Sequence, residues 1–197
     1  MTDYLAFDYK TSIKKVAKQF GVTPGIFLLG IYAKVLRELE GEGFVKFRFL
    51  NRINEAERAL TGYMVDELLI PRPAADLPMS DVIAHLNKDY RKALENYLPL
   101  QYLVKQLFGQ EFINSRKSIA PVFNFIPFNE NSSQKGQINL LTDHELYESL
   151  PWESKILYLW FARDGVGLSF HFNEEEGKEY GERLISRFLD ILGDCIS

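Results

Sequence analysis

The sequence holds one cysteine, Cys195, and three histidines. A lone cysteine excludes an internal disulfide framework and a Cys-built zinc site, and it fits a reducing, cytoplasmic compartment. Positive charge is not in excess: 23 Lys and Arg stand against 27 Asp and Glu, a formal net charge of −4. That balance argues against a protein that grips nucleic acid by neutralising phosphates. Long hydrophobic runs are missing. The most apolar stretch, Gly25 to Leu39, is interrupted by Lys34, Arg37 and Glu38, so it is too short and too charged to span a bilayer. Met1-Thr2-Asp3-Tyr4 offers neither a basic n-region nor an apolar h-region, and no signal peptide is expected. Internal repeats and low-complexity tracts are also lacking.

What is present is a chain of 197 residues, 46% hydrophobic and 25% charged, the composition of one globular domain with a substantial core. Fifteen Phe and ten Tyr imply a large core or a broad aromatic surface for a partner.

Leu5, Phe7 and Tyr9 alternate with polar or small residues, which predicts a short strand, with Thr11-Ser12 capping a helix through Phe20. Gly21 fits the left-handed position after that helix. Thr23-Pro24 predicts the start of a second helix, apolar on nearly every side and therefore buried. Phe44 to Phe49 reads as a strand with one wet face, carrying Lys46 and Arg48. Asn51 to Thr61 reads as a loop and Tyr63 to Ile70 as a strand. Ser80-Asp81 caps a helix to about Tyr97, and Pro99 opens another. Pro121 to Phe128 reads as a buried strand and Ile138 to Leu141 as a short one. Lys155 to Ala162 and Val166 to Phe172 form a hairpin about Asp164-Gly165. Asn173 caps a last helix, with Tyr180, Leu184, Phe188 and Ile191 at helical spacing. The fold class is therefore α/β (α+β), a mixed β-sheet flanked by helices, in a single domain over 1–197.

Catalytic signals are weak. His85, His144 and His171 are far apart, and none has a Cys or carboxylate at ligand spacing. His85-Leu86-Asn87-Lys88-Asp89 has a His-x-x-x-Asp pattern but falls in mid-helix and reads as a helix surface. Gly41-Glu42-Gly43 and Gly165-Val166-Gly167 are too short to cradle phosphate and read as turns. Ser118, Ser133 and Ser149 lie in no nucleophile elbow. Glu174-Glu175-Glu176 suits the first turn of a helix, where the dipole favours anions. No catalytic or metal-binding constellation emerges from residue types and spacing.

The order of four segments is more informative. Gly21-Val22-Thr23-Pro24, with its apolar helix and Leu39-Glu40-Gly41, comes first. Asn51-Arg52 and then Gly62-Tyr63-Met64-Val65-Asp66-Glu67-Leu68-Leu69-Ile70 follow. Glu95-Asn96-Tyr97-Leu98-Pro99-Leu100-Gln101 and Arg116 to Phe123 come next, before the hairpin and the last helix. This series resembles the second half of nonribosomal peptide synthetase condensation domains, with their Asn-Arg, Gly-Phe-Phe-Val-Asn-Thr-Leu-Pro-Leu-Arg, His-Gln-Asp-x-Pro-Phe-Glu and Arg-Asp-x-Ser-Arg-Asn-Pro-Leu-Phe elements. The resemblance implies one lobe of a two-lobed, chloramphenicol-acetyltransferase-like fold. That family condenses acyl or peptidyl thioesters with an acceptor amine in a tunnel between its lobes.

On this resemblance, Asn51, Arg52, Gly62, Tyr63, Val65, Asp66, Pro99, Pro121 and Phe123 are the expected tunnel or inter-lobe residues. Gly62 would let the backbone turn into its strand, and Arg52 would brace the preceding loop. For Tyr63, Val65 and Phe123, tunnel lining and core packing both stay open. The implied partners are an N-terminal condensation lobe and peptidyl or acyl carrier proteins, with no nucleic acid and no membrane. A homo-oligomer through the exposed inter-lobe face is a further expectation. No cofactor is bound directly; the phosphopantetheine arms of the carriers bring the substrates. The family's His-His-x-x-x-Asp-Gly is not in this chain, and Asp66, Leu69 and Pro71 replace its Asn, Pro and Arg. A reading of a different class remains, a docking or assembly module without chemistry; a third is an acyltransferase completed by a separately encoded N-terminal lobe.

Overall fold

A computed structural model describes residues 2–50, 65–99, 120–127, 155–161, 165–172 and 177–197, with isolated positions between 102 and 109. The elements are β1 (Thr2–Ala6), α1 (Phe7–Gln19), α2 (Pro24–Glu40), β2 (Phe44–Leu50), β3 (Val65–Pro71), α3 (Met79–Glu95), β4 (Val122–Ile126), β5 (Lys155–Phe161), β6 (Gly165–Phe172) and α4 (Gly177–Ile196). The strands form one sheet in the order β1-β6-β5-β4-β2-β3. Pairings β2–β4 and β4–β5 are parallel and the others antiparallel. The mixed sheet and the hairpin of β5 with β6 are as the sequence predicts.

Local chemistry sets the helix ends. Gly21, at φ 67°, follows α1, with Gly21 N–H donating to Lys18 O and Val22 N–H to Ala17 O at 3.1 and 3.0 Å. This paired closure needs a left-handed residue, which glycine adopts without a Cβ clash. Thr23 caps α2, its Oγ1 accepting from Ile26 N–H at 3.3 Å, and Pro24 takes the first helical position. α2 is buried along nearly its whole length, from Gly25 to Leu36. Lys34, which interrupts the apolar run, donates to the carbonyls of Ala75 and Leu77 at 2.7 and 3.0 Å and ties the segment before α3 onto α2.

Three expectations change. The strand predicted across Leu5, Phe7 and Tyr9 stops at Ala6, and α1 begins at Phe7. Tyr9 also fits the helical series with Ile13, Val16 and Phe20, and packing of that series against the core decides the boundary. Pro78, not Ser80-Asp81, caps α3: its carbonyl accepts from Asp81 and Val82 N–H. The wet face of β2 is not wet, because Lys46 and Arg48 are largely buried in ion pairs. Asn51 to Thr61, Ile138 to Leu141, His144, Arg116, Asp164 and Asn173 lie outside the described residues.

The core fills one face of the sheet. Val45, Phe47, Leu68, Ile70, Phe123, Leu157, Leu159, Val166, Leu168 and Phe170 alternate inward and pack against the four helices. Phe123 sits between Tyr32 of α2 and Phe47 of β2, with ring centroids at 5.8 and 6.0 Å. On α4, Leu184, Phe188 and Ile191 are buried and Tyr180 is half-buried, so the predicted apolar stripe meets the core. No single helix among the described residues is long and apolar enough to cross a membrane.

Candidate functional site

Strand register builds the main polar feature. Glu67 pairs with Arg48, Arg48 with Asn124, Asn124 with Tyr158, Tyr158 with Ser169, and Ser169 with Thr2. One polar row, from Glu67 to Ser169, thus crosses five strands, on the face turned away from the four helices. Apolar positions flank it, with Val122 and Ile156 on one side and Ile126 and Trp160 on the other.

The row is held by its own contacts. Glu67 lies between two cations, with Arg48 Nε at 2.8 Å and Lys46 Nζ at 3.2 Å. The side chains of Lys46, Arg48 and Glu67 retain only 7%, 13% and 16% exposure. Arg48 also donates to Tyr158 Oη at 3.4 Å. The Tyr158 ring meets His171 edge to face, with centroids 5.3 Å apart, and His171 Nε2 lies 2.9 Å from Ser169 Oγ. Beside this group the Trp160 indole lies flat on Gly167. A Cβ at Gly167 would stand 2.0 Å from Trp160 Cε2, so the position is reserved for glycine. The result is a largely buried cluster of ionic, phenolic, imidazole and indole groups.

A second polar centre closes the other end of β2 and β3. Glu40, at the last turn of α2, accepts from Arg72 Nη2 at 2.6 Å, from Lys155 Nζ at 2.7 Å and from Tyr180 Oη. Arg72 further donates to the carbonyls of Leu36, Gly41 and Phe44, so it also satisfies the C-terminus of α2. Burial pushes the Glu40 carboxyl up. The hydrogen bonds from Lys155 and Tyr180 and the charges of Arg72 and Lys155 outweigh burial and hold it below the ordinary carboxylate value.

Of the residues named from the resemblance, those described lie at separate places along the sheet. Asn51, Arg52, Gly62 and Tyr63 lie outside the described residues. Val65 opens β3 opposite Leu50. Asp66 faces the helices: it pairs in register with Phe49, accepts from Tyr97 Oη, and accepts from Glu67 N–H at 2.7 Å. Pro99 is exposed just beyond α3. Pro121 is buried, and its carbonyl accepts from Lys46 N–H at 2.8 Å. Phe123 has no exposed surface and packs in the core of this lobe. Arg72, one position later than the resemblance requires, serves the Glu40 centre.

Sequence reasoning missed the polar row, whose members are scattered from Arg48 to Ser169. Alternation within each strand was visible, but the register that aligns the strands was not. Among the described residues no three His, Cys, Asp or Glu side chains come together to hold a metal ion. Cys195 is half-buried, and burial together with the Asp194 charge pushes its thiol up, which suits an unreactive side chain.

No family model and no curated protein matches the chain. Solved structures do. The condensation domain of the Monacolin K polyketide synthase MokA aligns with a TM-score of 0.77 at 16% identity, covering 100% of this chain and 46% of that one. The first condensation domain of the CDA synthetase aligns at 0.75 and 14% identity, over 100% and 44%. The PapA2 acyl transferase aligns at 0.73 and 11% identity, also over 100% and 44%. The chain thus spans less than half the length of these proteins, and its fold is that of one lobe of a chloramphenicol-acetyltransferase-like condensation domain.

Proposed function

We propose that this chain works as the C-terminal lobe of a condensation-type domain that joins a carrier-bound acyl or peptidyl thioester to an acceptor amine. The observation that carries the reading is the full-length overlay of this chain on less than half of a condensation domain. The order of the four sequence motifs assigns it to the second half. In the complete enzyme the amine attacks the thioester carbonyl, the carrier thiol leaves, and a histidine of the other lobe takes the amine proton. This lobe supplies no base. It offers a tunnel wall, with the polar row of Glu67, Arg48, Asn124, Tyr158 and Ser169 as a buried frame behind it, and a docking surface for carrier proteins. Alone it is inactive.

The test is condensation turnover with loaded donor and acceptor carriers, for the chain alone and with a separately produced N-terminal lobe. Product only when both lobes are present is the expected result. Product from this chain alone would refute the reading.

A non-catalytic docking module is the second reading. Lys46, Glu67 and Arg48 favour it, because mutually paired charges already occupy part of the frame behind the wall. Carrier binding without product in either arrangement would select it.

A further inference from the structure

β3 is an outer strand of the sheet, with β2 as its neighbour in the strand order. An outer strand displays a row of backbone N–H and C=O groups that another strand can take up. The ladder tells which residues display them. Arg72 N–H donates to Gly43 O, and Lys46 N–H turns away from β3, to Pro121 O. Bonded positions alternate along an antiparallel pair. Val45 with Ile70, Phe47 with Leu68 and Phe49 with Asp66 are therefore the bonded pairs, and the backbone groups of Glu67, Leu69 and Pro71 point outward.

Two of these three offer no donor. Pro71 has no N–H. Glu67 N–H donates to Asp66 Oδ1 at 2.7 Å, and Tyr97 Oη donates to the other oxygen of that carboxylate. The Tyr97 ring is itself set edge to face on Phe49, the register partner of Asp66, with centroids 5.7 Å apart. An added strand bonds to alternate residues, so the Leu69 donor stands between two blocked positions. The Asp66 charge is a further obstacle, because a strand laid alongside would bury it. The motif that β3 resembles carries its proline at the position of Leu69, which is an outward position. Here the proline stands at the next outward position, Pro71, and Asp66 covers the one before, Glu67.

We infer that Asp66 and Pro71 together close the free edge of β3 to strand addition, with Tyr97 as the positioning residue that holds the Asp66 cover. The partner turned away is an extended strand, first of all β3 of a second copy of this chain.

The experiment follows backbone amide exchange by nuclear magnetic resonance, with sedimentation velocity, at rising protein concentration. Protection of Glu67 N–H should fall about tenfold or more in D66A, less in Y97F, and persist in D66N, whose Oδ1 still accepts. D66A/P71V presents donors at three successive outward positions. It should associate, and its Leu69 amide should gain protection with concentration, which the wild-type amide does not. P71V leaves Asp66 and Tyr97 in place, should do the same more weakly, and serves as the test if D66A/P71V melts as an unfolded chain. Adding L69P removes the middle donor and should abolish the association. A Glu67 amide that exchanges as fast in wild type as in D66A would overturn the cover. Folded P71V and D66A/P71V chains whose Leu69 amides gain no protection, or association undiminished by L69P, would overturn the closed edge. So would a wild-type Leu69 amide that becomes protected as concentration rises.

Discussion

Replacing Glu40 by Gln keeps the shape of the side chain and removes its charge. Arg72 and Lys155 then remain with 5% and 15% of their side-chain surface exposed and no carboxylate between them. Breaking a buried ion pair by deleting one partner costs about 3–5 kcal/mol. Glu40 keeps 18% exposure, and a Gln oxygen still accepts one hydrogen bond, so about 2–3 kcal/mol is the appropriate share. For a chain of this size that lowers Tm by about 5–10 °C. The pH dependence carries the sharper test. The folded-state pKa of Glu40 lies below its ordinary value, so its contribution is fully present above the unfolded carboxylate pKa of about 4.3 and is lost as pH falls through the folded value. Melting followed by circular dichroism from pH 7 to pH 3 should show a wild-type advantage that shrinks at the acid end. A cycle with K155Q should give a coupling of about 1 kcal/mol or more at pH 7. Equal melting of E40Q and wild type at neutral pH, or a difference that ignores pH, would refute the argument that Glu40 is a charged clamp.

Two further predictions concern the polar row. Glu67→Leu alone leaves Lys46 and Arg48 without their shared carboxylate and should cost about 3 kcal/mol, whereas Glu67→Leu with Lys46→Met should recover much of that loss; urea unfolding of the set measures both. Gly167→Val forces the Trp160 indole off the strand. It should destabilise by about 1–3 kcal/mol and change the near-ultraviolet circular dichroism, with W160F identifying the band; an unaltered spectrum would mean that the indole does not lie on Gly167.

The parts of the fold that were legible in the sequence are those decided by neighbours in the chain. Thr23-Pro24 and Gly21 mark helix ends because capping and left-handed closure involve residues within one turn. The apolar α2 declares its burial, and the β5–β6 hairpin follows from a short turn. What stayed hidden depends on distant partners. Lys46 and Arg48 look like a solvated face until Glu67 is placed opposite them. Glu40 gives no sign that Arg72, Lys155 and Tyr180 converge on it. The side-chain directions of Asp66, bonded to Tyr97, and of the buried Phe123 likewise depend on partners distant in sequence.

The strand order also has a consequence for synthesis. β1, the first strand of this sequence, pairs among the described residues with β6, so Thr2 waits for Ser169. α1, α2, β2, β3 and α3 form an early, mostly local unit, but its parallel neighbour β4 and then β5 arrive much later. Such long-range closure is slow, and the strand edges it leaves open invite pairing with other nascent chains. Chain elongation that pauses before residue 165 would therefore hold the protein in an aggregation-prone form, with β1 made and β6 not yet translated.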